Sequence, residues 1–103
     1  MKIVTIHNDM ENVARLMPNP EGTGCCFEQN EDDIVRLIRE DMVRDVNARG
    51  CEDGLIHSTE DLQMHGWYIA DERINGTRRL SLYSGNLADD PGCDGTVYCI
   101  LDL

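Results

Sequence analysis

Trp67-Tyr68-Ile69-Ala70-Asp71-Glu72-Arg73-Ile74-Asn75-Gly76-Thr77-Arg78-Arg79-Leu80-Ser81-Leu82-Tyr83-Ser84 is the stretch whose reading decides the fold. Asn75-Gly76 stands between two apolar-polar runs. Both central positions of a type I′ turn need positive φ, which Asn and Gly adopt most readily, so the stretch predicts a tight β-hairpin. A two-residue loop leaves one register: Ile74 opposite Thr77, Glu72 opposite Arg79, Ala70 opposite Ser81, and Tyr68 opposite Tyr83. The alternate face carries Trp67, Ile69, Leu80 and Leu82, an apolar surface that needs a covering layer.

Working outward, Thr96 to Leu103 is a further apolar strand that joins the sheet or leaves an edge through which two copies could pair. Upstream, Ser58 or Thr59 caps a short helix running through Met64, before Gly66. Asp61 is spaced to complete a capping box with Ser58, and Leu62 faces the core. The covering layer is Glu31 to Arg49. Asn30 serves as its N-cap, acids fill its first turn, Arg49 lies in its last turn and Gly50 stops it. Ile34, Val35, Ile38, Met42 and Val46 form one stripe at helical spacing, with Asp41 and Asp45 stacked at its edge. Charges at i and i+4 pair as Asp32/Arg36, Glu40/Arg44 and Asp45/Arg49.

The N-terminal third is less regular. Lys2 to His7 alternates as a strand, and Asn8 or Asp9 offers a cap for a short helix carrying Val13, Leu16 and Met17, ended by Pro18 and Pro20. Residues 19–24 read as loop, and Cys25-Cys26-Phe27 as either a strand or a buried turn. The order of elements predicts one α+β domain over residues 1–103, with helices packed on one face of a small, largely antiparallel sheet that ends in a hairpin plus strand.

The 20 acidic and 9 basic residues leave a formal charge of −11. Such a field repels phosphates and anionic membranes and speeds encounter with a basic surface, so direct nucleic-acid binding and membrane binding are not expected. The charge is segregated. Leu16 to Val35, Gly50 to Glu72 and Leu80 to Leu103 hold three-quarters of the acids and none of the bases. The one basic cluster, Arg73, Arg78 and Arg79, sits at the hairpin tip, where Glu72 opposes Arg79. Candidate partner-binding residues are therefore the acids Glu28, Glu31, Asp32, Asp33, Asp41, Asp45, Glu52, Asp53, Glu60 and Asp61. The cross-strand pair Tyr68 and Tyr83 is added as an aromatic anchor. Asp41 and Asp45, about 6 Å apart on a helix, match a spacing at which basic residues engage phosphates, and this opens the way to nucleic-acid mimicry.

The start of the chain has too short an apolar run for a secretory signal. Five cysteines (Cys25, Cys26, Cys51, Cys93, Cys99) are an odd number, and two of them are adjacent. They read as reduced thiols of a cytoplasmic protein. No CxxC, HExxH or glycine-rich phosphate loop is present, so no catalytic residue, metal ligand or cofactor is assigned. His57 beside Ser58 is better explained by Ser58 acting as a helix cap than as a nucleophile.

In overall profile, being small, acidic and free of enzyme motifs, the chain resembles phage-encoded anti-CRISPR proteins and the bacterial immunity proteins that neutralise nuclease toxins. Composition carries this resemblance and no motif does. It implies a stoichiometric inhibitor that covers a basic, nucleic-acid-binding surface of a defence nuclease or CRISPR effector. An immunity protein for a nuclease toxin is the nearest alternative. A zinc- or thiol-dependent enzyme or sensor using Cys51, Cys93, His57 and His65 is a third, and a homodimer is a further possibility.

Overall fold

The computed structural model describes residues 1–8, 13–20, 25–48, 56–84 and 95–102. It contains the strands β1 (Lys2–Asn8), β2 (Val13–Leu16) and β3 (Cys26–Phe27), the helices α1 (Glu31–Ala48) and α2 (Thr59–Met64), and the strands β4 (Trp67–Ile74), β5 (Thr77–Ser84) and β6 (Thr96–Asp102). Six strands form one antiparallel sheet in the order β2-β1-β6-β5-β4, with β3 also paired to β1. The helical layer covers one face, giving the predicted α+β arrangement.

The hairpin adopts the expected register from Trp67↔Ser84 to Ile74↔Thr77. Asn75 and Gly76 have φ of 52° and 83°, the positive values the turn demands. On the helix-facing side Leu80 and Leu82 of β5 join Val4 and Ile6 of β1 and Tyr98 and Ile100 of β6. They pack against Ile34, Ile38, Met42 and Val46 of α1, with Trp67 and Ile69 half-buried at the margin. The predicted helical stripe is therefore the core face of α1. Burying each such aliphatic side chain contributes about 1.5–3 kcal/mol.

Asn30 caps α1 as expected, its Oδ1 accepting from the Asp33 N–H at 2.9 Å. Ser58 caps α2, its Oγ accepting from the Asp61 N–H at 3.4 Å. The reciprocal half of the box is displaced by one residue, because the Asp61 carboxylate accepts from the backbone N–H of His57 at 3.3 Å rather than from that of Ser58. Arg49 and Gly50, the predicted end of α1, lie outside the described residues. Asn47 binds Ile56 in both directions, Nδ2 to the carbonyl and Oδ1 from the N–H, each at 2.8 Å. This clasp fixes the approach to α2 against α1.

One expectation is corrected and two open alternatives are decided. The segment carrying Val13 and Leu16 is strand β2, not a helix, and pairs along Thr5↔Leu16 to Asn8↔Val13. Met17 extends the ladder by donating to the Val4 carbonyl at 3.0 Å. A run stopped by Pro18 is too short to offset helix nucleation, whereas the open edge of β1 satisfies its backbone at once. Cys26 and Phe27, left open between strand and turn, form β3 on the same edge of β1. Finally, β6 is not an edge. β1 and β5 pair with its two sides, so its backbone cannot recruit a second copy. Among the described residues, no helix is long and apolar enough to cross a membrane.

Candidate functional site

The charged side chains are arranged around α1. At its N-terminal end Arg73 donates to both Glu31 carboxylate oxygens at 2.8 and 3.0 Å. Arg78 forms a fork with Asp71 at 3.0 and 2.7 Å, and Arg79 binds Glu72 across the hairpin at 2.8 Å. Arg39 of α1 also reaches Asp71, at 3.9 Å. The hydrogen bonds from Arg78 hold the Asp71 carboxyl below the usual carboxylate range. Partial burial opposes this, and the charges of Arg78, Arg39 and Arg73 assist it. Reciprocally, the Asp71 hydrogen bond pushes Arg78 up. The tip arginines, read in sequence as a possible phosphate grip, are thus each held by a carboxylate of their own chain.

On α1 the charge pairs close at i,i+3, Asp33 with Arg36 at 3.8 Å and Asp41 with Arg44 at 3.3 Å. The expected i,i+4 pairs Asp32/Arg36 and Glu40/Arg44 are not the ones made, and Arg49 of the expected Asp45/Arg49 pair lies outside the described residues. Including Lys2 with Asp102, seven of the eight described basic residues are ion-paired with described carboxylates.

Asp41 and Asp45 point inward. Asp41 Oδ2 accepts from the buried Tyr98 hydroxyl at 2.6 Å, and Asp45 Oδ2 accepts from the buried Thr96 hydroxyl at 3.1 Å. Burial raises the Tyr98 hydroxyl far above its usual value, and the hydrogen bond to Asp41 and the charges of Asp41 and Asp45 add to the shift. These two carboxylates connect α1 to the central strand of the sheet, and an external phosphate-reading surface would meet them only at their partly exposed rims.

The remaining candidates divide. Glu28 and Asp32 are exposed near the hairpin-tip end, where Glu31 and Asp33 are engaged as above. Glu60 is exposed on α2, and Asp61 is occupied in its cap. Glu52 and Asp53 lie outside the described residues. The two described acidic groups share the helical layer: Glu60 lines a cleft with Arg39 of α1, which by the helical rise lies about 10 Å from Asp32. Tyr68 and Tyr83 stack with ring centroids 5.8 Å apart at 31°, but on the opposite face of the sheet, so the acids and the aromatic pair do not form one site.

A groove of about 350 Å³ runs between α1 and the entry to α2, lined by Arg36, Arg39, Glu40, Arg44, His57 and Ser58 among others. Sequence spacing could not show it, since His57 and Ser58 are brought there by the Asn47–Ile56 clasp. Cys51 and Cys93, half of the proposed thiol or zinc set, lie outside the described residues. Among those described, no three His, Cys, Asp or Glu side chains gather to hold a metal ion, and Cys25, Cys26 and Cys99 are free thiols. Comparison with protein-family models, curated proteins and solved structures gives no match.

Proposed function

We propose that the chain is a stoichiometric protein inhibitor, acting in the cytoplasm, that docks its helical layer on a basic, nucleic-acid-binding surface of a defence nuclease or CRISPR effector. The observation that carries this reading is the internal matching of the basic side chains. With seven of the eight described bases paired to described carboxylates, Glu28, Asp32, Glu40 and Glu60 have no ion-pair partner among the described residues and face solvent. Their charge is available to an external cation, and an Arg/Lys-rich surface supplies it with fast, steered association. Asp41 and Asp45 are assigned to the fold rather than to the partner.

The function is inhibition by coverage, so no covalent chemistry is needed. A bound acidic face excludes the nucleic acid by like charge and by bulk. The test is a competition assay in which guide-loaded CRISPR effectors and nuclease toxins are each offered labelled DNA with increasing amounts of the chain. Displacement of DNA at near one-to-one stoichiometry supports the reading, and displacement from a toxin alone assigns the immunity-protein form. Failure to displace DNA from any member at low salt removes it.

A further inference from the structure

The face of the sheet turned away from α1 has a character opposite to the rest of the molecule. No described helix or strand packs over it. Of the six large hydrophobic side chains that are exposed among the described residues, four stand on this face: Leu16 (48%), Tyr68 (38%), Ile74 (42%) and Leu101 (37%). The register places them there, since Leu16 opposes Thr5, Leu101 opposes Ile3, Ile74 opposes Thr77 and Tyr68 opposes Tyr83, all alternating with the core-facing residues. Between them the central strands present the short side chains Thr5, Ser81, Val97 and Cys99, which leave the middle of the face low.

The face is also nearly without charge. Beside His7, its described acidic and basic side chains are the Glu72–Arg79 pair, whose charges cancel at 2.8 Å, on a chain that carries −11 overall. A basic partner would gain little here and would be drawn to the helical layer instead. A second copy meets its lowest electrostatic resistance at this face.

We infer that this face is the interface of a homodimer in which two sheets pack face to face, with both helical layers outward. Four strands of seven or eight residues, with the four-residue β2 beside them, cover a footprint on the order of 500 Å² at the usual strand spacing and rise. Two such footprints reach about 1,000 Å² before the relief of the side chains is counted, the area a specific interface needs. Two such faces would pack as aligned sheets at a separation of about 10 Å. The edge-to-edge dimer suggested by the β6 sequence is excluded by the central place of that strand, whereas this face is available. The inference is independent of the target proposed above.

Sedimentation velocity of the full chain tests it, run from a few micromolar to about 200 μM at low and at high salt. The weight-average mass should rise toward twice that of one chain. The dimer should tighten as salt rises, because screening removes the repulsion between two −11 chains while the apolar contact remains. Ile74→Lys and Leu101→Lys, at positions already exposed in the single chain, should each weaken the dimer about tenfold or more, with circular dichroism and melting close to the parent. Glu60→Lys on the helical layer should leave it within about twofold. A chain that stays monomeric to the highest concentration overturns the inference. So does a dimer indifferent to both lysine substitutions, or one that Glu60→Lys disrupts.

Discussion

Tyr98→Phe removes one oxygen atom from the middle of the molecule, and its cost can be worked from the contact it breaks. The hydroxyl donates to Asp41 at 2.6 Å, a charge-assisted bond, from a side chain with no exposed surface. Phe fills the same space, so no cavity contributes. Hydrogen bonds to charged groups contribute about 1.5–3 kcal/mol, and the lower half applies because the Asp41 side chain is 22% exposed and keeps Arg44. The expected loss is about 2 kcal/mol, equivalent to a fall in Tm of about 10 °C for a domain of this size. Asp41→Leu should cost at least as much, since it leaves the buried hydroxyl without an acceptor, and the double variant should show coupling of about 1 kcal/mol or more. Urea unfolding with unchanged m-value is the assay. A Tyr98→Phe loss below about 0.5 kcal/mol, with coupling near zero, would refute the assignment of Asp41 to the fold. An alkaline signature accompanies it. The folded value of Tyr98 lies above its unfolded value of about 10, so its contribution is complete below that pH and is lost as pH rises beyond it. Tyr98→Phe should remove this alkaline limb of the stability profile.

Asp71 should produce the opposite limb. Its folded value is depressed by Arg78, so its contribution is complete above the unfolded value of about 4 and is lost as pH falls toward the lower folded value. Asp71→Asn should flatten stability in that acid window, as measured by urea unfolding at stepped pH. At the hairpin tip, Gly76→Ala meets no atom within 4 Å but retains a φ of +83°, so it should cost about 1–2 kcal/mol through backbone strain alone. A loss well below that range would show that the turn relaxes. Charge reversal at Glu28, Asp32 and Glu60 should slow association with a basic target about tenfold while stability moves by less than about 0.5 kcal/mol. Asp41→Asn should do the reverse, lowering stability with little effect on the association rate in stopped-flow mixing.

The hairpin was legible because loop length and turn chemistry set its register locally, and α1 because its stripe and its Asn30 cap are local as well. β2 was not, since Val13 to Leu16 becomes a strand only when the edge of β1 is beside it. The central place of β6 likewise depends on two partners distant in sequence. The same division runs through the charged residues. The excess of acid and its segregation are plain in the chain, but the direction of Asp41 and Asp45 is decided by hydroxyls on β6, Tyr98 and Thr96. A usable signal did exist for the tip arginines. The hairpin register puts Asp71, Arg73 and Arg78 on the face shared with Ile69 and Leu80, toward the helix whose first turn carries Glu31. The open sheet face was half visible, with Tyr68 and Tyr83 on it. Its extent required the pairing of β1, β2 and β6.

Competition with DNA for a basic target, run at about 50 and 200 mM salt with the parent chain and the Glu28/Asp32/Glu60 reversal variant, bears most directly on the proposed function. The parent should displace DNA from at least one guide-loaded effector or nuclease, with an association rate that falls as salt rises, and the variant should lose that displacement. Displacement that is unaffected by the charge reversal, or none from any nuclease or effector in the panel, would contradict it.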